Sequence, residues 1–388
     1  MKGKWRSVTG YGLLAIGYLF VFWLRQDPLR VENLYSRGLY PVLMERYSRL
    51  VGHLPFSLAE ALVVLFYLGV GGLIVYILYT LIRRNLPKPF PFFSFFKKMI
   101  LLAASLFLIF QLSWGLNYHR VSFAGQTDLY VSPTTTEELA SLCRSLTRQA
   151  VELRQQVTEN EKGVFVPSRS MTELFQSAQE GYEAASSFFP MLAGNYGTPK
   201  GVFLSHFWSY MGTSGMYFPL TGEANVNITT PPYMIPATIT HEMAHQHGYA
   251  REDEANFIAY VTAISHPSAD FQYSGTMLAL NNAMNQLYRA DASLWEEIRA
   301  SYSEGMLRDL ADHHIYRDKY QGSLWETSNR VNDRYLMMND QSDGVQSYGR
   351  MVDLLLALRR LDPHTFDGKE INPSFCRPPE RESQKSSS

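Results

Sequence analysis

Apolar residues are spread along this chain in two regimes. In the first 118 residues they come in unbroken runs: VTGYGLLAIGYLFVFWL over residues 8–24, a second from Leu58 to Ile82 marred only by Glu60 near its start, and a third from Met99 to about Trp114. Each has about the length that crosses a bilayer as a helix. A buried helix of a large α protein would account for any one of them; three so close together predict a membrane domain over 1–118, with spans at about 8–24, 58–82 and 99–117. Past that point the pattern turns periodic. PTTTEELASLCRSLTRQAVELRQQV opens on Pro and Thr caps and then spaces Leu and Val at helical intervals, which predicts a helix over 135–158 and is followed by another over about 170–187. Helical spacing returns at 277–289, 294–313 and 347–361. Between these blocks, GVFLSHFWSYMGTSGMYFPLTGEANVNIT interrupts aromatic and β-branched residues with Gly and Pro, the signature of short strands. The whole predicts a mainly α fold with a small β element, a folded domain over 119–366, and a tail from about Asp367 with the composition of a disordered end.

The formal net charge of −1 over 388 residues offers no attraction to nucleic acid. Its distribution says more. Lys2, Lys4 and Arg6 precede the first run, and Arg83, Arg84, Lys88, Lys97 and Lys98 separate the second from the third, with no acidic residue in either segment. Such cations stay on the cytoplasmic side. The loop between the first two runs is mixed, with Arg25, Arg30, Arg37, Arg46 and Arg49 beside Asp27, Glu32 and Glu45. An inside amino terminus and three spans would put everything after about Tyr118 outside the cytoplasm, in a multi-pass cell-membrane protein. A cleavable signal peptide is the competing reading of the first run, but FWLRQDPLR follows it without a small-x-small cleavage site. Both cysteines, Cys143 and Cys376, fall in the exterior domain, and the sequence leaves open whether they approach closely enough to pair.

Chemistry concentrates in HEMAHQHGYAREDEANFIAY, residues 241–260. Four residues of helix turn through about 400°, so His241 and His245 share one face and can share one Zn2+ ion. Glu242 then flanks the open position, placed to take a proton from water that the metal has acidified. A catalytic zinc of this kind wants three protein ligands, and Glu252 and Glu254 are both near. Gly248 is a natural helix terminator, and Glu252, Asp253 and Glu254 read as the first turn of a new helix, which favours Glu252, with Asn256 four residues on orienting it. Two surface histidines are the plain alternative. His247 lies about 200° round the helix from His245 and reads as a capping or surface residue. The motif is flanked by PPYMIPATIT and REDE rather than by an apolar run of spanning length, so the chemistry belongs to water near the membrane rather than to its interior.

These residues resemble a gluzincin-type metallopeptidase core, in which a Glu on a following helix completes the zinc site. EDEAN resembles the Glu-x-x-Ala-Asp element of membrane-bound CAAX-type and HtpX-like peptidases, with Asn256 where they carry Asp, and that alignment also selects Glu252. Arg251 stands where metzincins carry a third histidine, which sets that subclass aside. Over nearly its full length the chain resembles the membrane family catalogued as domain of unknown function 3810, through VENLYSRGLYPVL, LPFSLAEAL, YFPLTGEANVNI, HEMAHQHGYAREDEANF and SYGRMVDLLLAL. The resemblance implies a zincin-like α+β extracytoplasmic domain and a membrane-anchored zinc peptidase acting on peptides or proteins of the cell envelope. It also implies that the part from Gly215 to Asn227 is an edge strand for an extended substrate, with Asn225 and Asn227 as substrate-binding candidates or as residues satisfying turn hydrogen bonds. Tyr348, Arg350 and Arg334 are candidates to stabilise an oxyanion. A non-catalytic membrane scaffold or sensor with a structural zinc, closed by a fourth ligand such as Glu254, is the alternative, and a zinc amidase is a chemical neighbour.

Overall fold

The computed structural model of the chain describes residues 2–83, 92–338 and 350–361. Its first part holds α1 (Lys2–Arg25), α2 (Pro28–Val31), a wider-wound helical stretch Glu32–Leu39 that runs on into α3 (Tyr40–Gly52), α4 (Leu58–Ile82) and α5 (Phe92–Ser113). Beyond these come α6 (Thr136–Arg154), α7 (Met171–Ala185), β1 (Lys200–Gly201), α8 (Ser205–Tyr210), β2 (Gly215–Phe218) and β3 (Glu223–Val226). The order ends with α9 (Ile235–Gln246), α10 (Glu252–Ser265), α11 (Ala269–Ala290), α12 (Ala292–Arg299), α13 (Glu304–Tyr320), α14 (Ser323–Met338) and α15 (Met351–Leu361). A mainly helical chain with one small sheet is what the apolar pattern predicts. The expected tail from Asp367, and Cys376 with it, lie outside the described residues; Cys143 is buried in α6.

Two helices, Leu58–Ile82 and the Phe95–Ser113 part of α5, are long and apolar enough to cross a membrane. Of the three expected spans, these two are found among the described residues, where the apolar stretch of α1, Tyr11–Arg25, is shorter. α1 lies along α5. Gly17 lets the two backbones approach, since a Cβ there would come within 2.6 Å of Leu108 Cδ2, and the Tyr18 hydroxyl donates to the Ala104 carbonyl at 2.8 Å. At their domain ends Val21, Leu24, Leu108 and Trp114 join Val31, Tyr35, Tyr40 and Met44 in a core that also takes in Tyr217 and Ala250. The helices of the first part and the folded domain thus share buried side chains.

Capping explains where the domain helices begin. Thr135 and Glu138 form a reciprocal capping box on α6, and Ser170 and Glu173 form another on α7. The helix expected over 294–313 is broken in two, because the Ser303 hydroxyl accepts from the Met306 N–H and starts α13 afresh after α12. The sheet has the order β1-β3-β2, with β3 parallel to β1 and antiparallel to β2, and Gly215 pairs with Val226 while Phe218 pairs with Glu223. Every residue of β3 is buried, beneath α9.

A buried ion pair ties this sheet to α4. Lys200 and Glu223 meet at 2.8 Å, and Glu223 also accepts from the first backbone N–H groups of α4, Leu58 at 3.0 Å and Ala59 at 2.7 Å. Ser57 accepts from Glu60 N, so three of the donors that a helix start leaves unpaired are satisfied. Lys200 spends its other protons on the Val51 and Phe56 carbonyls. Removing one partner of such a pair strands a buried charge. Glu223→Ala should therefore lower the unfolding free energy of the full chain in detergent by about 3–5 kcal/mol, against a change within about 0.5 kcal/mol for exposed Glu161→Ala. Equal denaturation midpoints for the two variants would refute the tie.

Candidate metal centre

The helix carrying the histidines ends where its sequence says it must. Gly248 has φ +86°, a left-handed conformation that closes α9 and turns the chain back, and its missing Cβ also leaves room for Tyr40 Cε1 at 3.1 Å. The next turn begins α10 at Glu252, whose three acidic residues sit at the positive end of the helix dipole. Because α9 and α10 pack side by side, this reversal carries the Glu252 carboxylate onto the histidine face. Glu252 Oε2 lies 3.2 Å from His241 Nε2 and Oε1 lies 3.7 Å from His245 Nε2, and the three ligand atoms fall within 4.8 Å of one another. The imidazole planes stand at 89° with centroids 4.7 Å apart.

This donor set fits zinc. Metal–ligand bonds of about 2.0–2.1 Å at a tetrahedral angle separate the ligand atoms by about 3.3 Å, against 3.2 Å from His241 to one oxygen of Glu252 and 3.7 Å from His245 to the other. The tautomer also fits. His245 Nδ1–H donates to the Tyr249 carbonyl at 2.7 Å, which leaves the Nε2 lone pair facing Glu252. With no metal bound, burial opposes a charge on His245, yet Glu252 and, more weakly, Glu242 outweigh it and push the imidazole up to about 9. Against the upward pull of its own burial, Glu252 is held well below the usual carboxylate range by His245 and His241. Glu254, the other ligand candidate, points elsewhere: its carboxylate accepts from Phe123 N at 2.8 Å and pairs with Arg251 at 3.1 Å.

Glu242 is buried beside the cluster, with one carboxylate oxygen meeting no protein partner. Burial raises its pKa, and the neighbouring histidines only partly reverse that. Strand β2 runs past it at contact distance. A Cβ on Gly215 would come within 2.7 Å of Glu242 Cγ, so any other residue there would displace the carboxylate. Aromatic rings close the remaining side: Trp114 meets the His245 ring edge-on at 6.0 Å and packs on Tyr217 at 4.7 Å. Tyr118 donates to the Tyr335 hydroxyl at 3.1 Å, and the charge of Glu252 reaches both phenols.

The other expected site residues are placed as follows. Asn256 is buried on α10, one turn beyond Glu252. Asn225 and Asn227 are buried in and just after β3, where Asn225 donates to the Met216 and Glu223 carbonyls and Asn227 to Ser209 and the Thr213 carbonyl. His247 does cap α9, but it is buried rather than at the surface, held between the rings of Tyr182 and Tyr196, and burial drops its pKa to about 3. Arg334 on α14 and Arg350 are exposed, and Tyr348 lies outside the described residues. The two phenols that feel the charge of Glu252, Tyr118 and Tyr335, carried no signal in the sequence beyond the adjacency of Tyr335 to Arg334.

A family model described as Protein of unknown function (DUF3810) matches residues 35–356, which takes in the cluster and every strand. No curated protein and no solved structure matches the chain.

The electrostatics set a direction for metal uptake. His245 is raised from 6.5 to about 9, so the stabilisation it shares with Glu252 in the metal-free protein is complete below 6.5 and is lost as pH climbs through 9. A metal must displace that proton. Zinc affinity of the full-length protein should therefore strengthen by up to about tenfold per pH unit from 6.5 toward 9 and level off above it, measured by competition with a calibrated zinc dye. Affinity that is flat across this range would break the link between His245 and Glu252.

Proposed function

The chain belongs to the DUF3810 family of proteins of unknown function, and for it we propose a membrane-anchored zinc-dependent peptidase that hydrolyses peptide bonds in cell-envelope proteins or peptides. One observation carries this reading. Two imidazoles and a carboxylate converge within 4.8 Å while a second, buried carboxylate, Glu242, stands against the open edge of a short strand. A structural site would need a fourth protein ligand, and among the described residues the cluster has three. His241, His245 and Glu252 hold the metal. Zinc bound there supplies Lewis acidity and lowers the pKa of water to about 7.

The chain's own groups do the rest. Glu242, whose burial raises its pKa, accepts the proton of the attacking water and passes it to the departing amine. The outer edge of β2 offers main-chain groups to an extended polypeptide, which gives affinity with loose sequence preference. Of the two phenols that the Glu252 charge reaches, Tyr118 donates to Tyr335, and the Tyr335 hydroxyl would donate to a developing oxyanion. In this reading the domain is zincin-like, α4 and α5 cross the membrane with α1 beside them as a third span, the amino terminus is cytoplasmic, and the catalytic face is extracytoplasmic.

The test compares three full-length proteins on a quenched-fluorescent random peptide library, with zinc content measured in parallel. Wild type should cleave. Glu242→Gln should keep its zinc and lose about 10²–10⁴-fold in rate, the usual worth of a general base, while His245→Ala should lose zinc and activity together. Full activity in Glu242→Gln would sink the mechanism. A folded, zinc-loaded wild type that cleaves nothing and shows four protein ligands would point to the scaffold.

A further inference from the structure

Residues 26–57, between α1 and α4, have a polarity that the domain alone does not explain. A helix lying on a folded domain ordinarily turns an apolar stripe inward and polar residues outward. α3 buries Tyr40, Met44, Ser48 and Val51 against the domain. Its other side is also apolar: Val42, Leu43 and Leu50 are 52, 56 and 70% exposed, and Leu39 just before them is 48% exposed, while Tyr47 at the flank donates to the Leu220 carbonyl. Exposed Arg46 and Arg49 lie among them.

A second apolar surface rises beside it. The turn before α8 and α8 itself present Phe203, Leu204, Phe207 and Tyr210 at 82, 43, 51 and 47% exposure. Both surfaces are pinned where α4 leaves the domain. The backbone N–H groups of Phe203 and Leu204 donate to the Glu60 carboxylate in the first turn of α4, at 2.9 and 2.6 Å. Lys200, three residues before Phe203, donates to the carbonyls of Val51 in α3 and Phe56 just after it.

Topology gives these surfaces a common plane. α4 starts at Leu58 and α5 ends at Ser113, and two successive crossing helices begin and end on the same face of a membrane. The end of α1 touches the segment that follows α5, so it emerges on that face too. Residues 26–57 therefore join two helix ends along one boundary.

We propose that the outer face of α3 and the aromatic face of α8 are seated in the interfacial layer of the bilayer that α4 crosses. Their leucines and aromatics lie at the headgroup–acyl boundary, and Arg46 and Arg49 reach anionic headgroups from an apolar stem. The surface is continuous with the span, which is why the occupant is lipid. The proposal rests on the membrane part of the function proposed above and is independent of the metal.

The test uses the full chain with Cys376→Ser, in which buried Cys143 is out of reach of the reagent. Single spin labels are introduced by Leu43→Cys and Phe207→Cys, with Leu50→Cys and Phe203→Cys as second variants should either fail to fold. Val70→Cys in α4 and Tyr130→Cys on the domain surface serve as references. In vesicles of phosphatidylcholine and phosphatidylglycerol, collision with oxygen relative to a nickel chelate should be several-fold higher at 43 and 207 than at 130, and highest at 70. Water-like values at 43 and 207 with a lipid-like value at 70 would overturn the proposal and leave the span standing. Water-like values at all three would overturn both. Labels shielded from both reagents and broadened by a second spin would show another copy of the chain on this surface, which also contradicts it.

Discussion

A carboxylate and two imidazoles held together below a protein surface must answer one another, and the site follows from that constraint. His241 and His245 face the two oxygens of Glu252 and hold its pKa down despite burial, and Glu252 in turn pushes the pKa of His245 up. The pair joins the end of α9 to the start of α10 across a turn that only a residue free to adopt positive φ can make, and Gly248 supplies it. The same turn places the Tyr249 carbonyl on His245 Nδ1, so the segment that reverses the chain also sets the ligand tautomer. Divalent zinc suits such a group, replacing the imidazole proton as the partner of the carboxylate.

A second tie connects this site to α4. β3 carries at one end Glu223, which caps α4, and at the other Val226, which pairs with Gly215 beside Glu242. Three residues of strand, roughly 10 Å, therefore separate the residue that caps α4 from the one paired with Gly215. Lys200 and Glu223 neutralise one another at that junction and spend their remaining hydrogen-bonding capacity on backbone groups of the 51–59 segment. A short strand rather than a linker thus joins the start of α4 to the residue paired with Gly215.

The parts of this architecture legible in the sequence are those whose cause is local. The spacing of His241 and His245, the glycine that stops their helix and the acidic run that starts the next are each written within a few residues, and the structure brings the corresponding side chains together. The capping boxes of α6 and α7 are local in the same sense. Tyr249 contributes through its backbone carbonyl, and any residue type would have served there. Trp114 reaches His245 from the end of α5, far away in sequence, and Tyr118 and Tyr335 meet one another across a still longer separation. Gly215 was readable in principle, because glycine inside a strand pattern often marks close approach of another group. His247 is the cap that helical angle allowed, but angle cannot show that Tyr182 and Tyr196 close over that face and bury it. The apolar run of α1 looked like its neighbours, and its packing on α5 is visible only in three dimensions.

The most direct measurement is zinc K-edge X-ray absorption on the full-length protein, purified without chelator and assayed for metal, beside Glu252→Ala. The account predicts one zinc per chain, bound by two imidazole nitrogens and two oxygens at about 2.0–2.2 Å, one oxygen from Glu252 and one from water. Occupancy should collapse in the variant. A folded wild type that takes up no zinc, or a zinc unaffected by loss of Glu252, would contradict it.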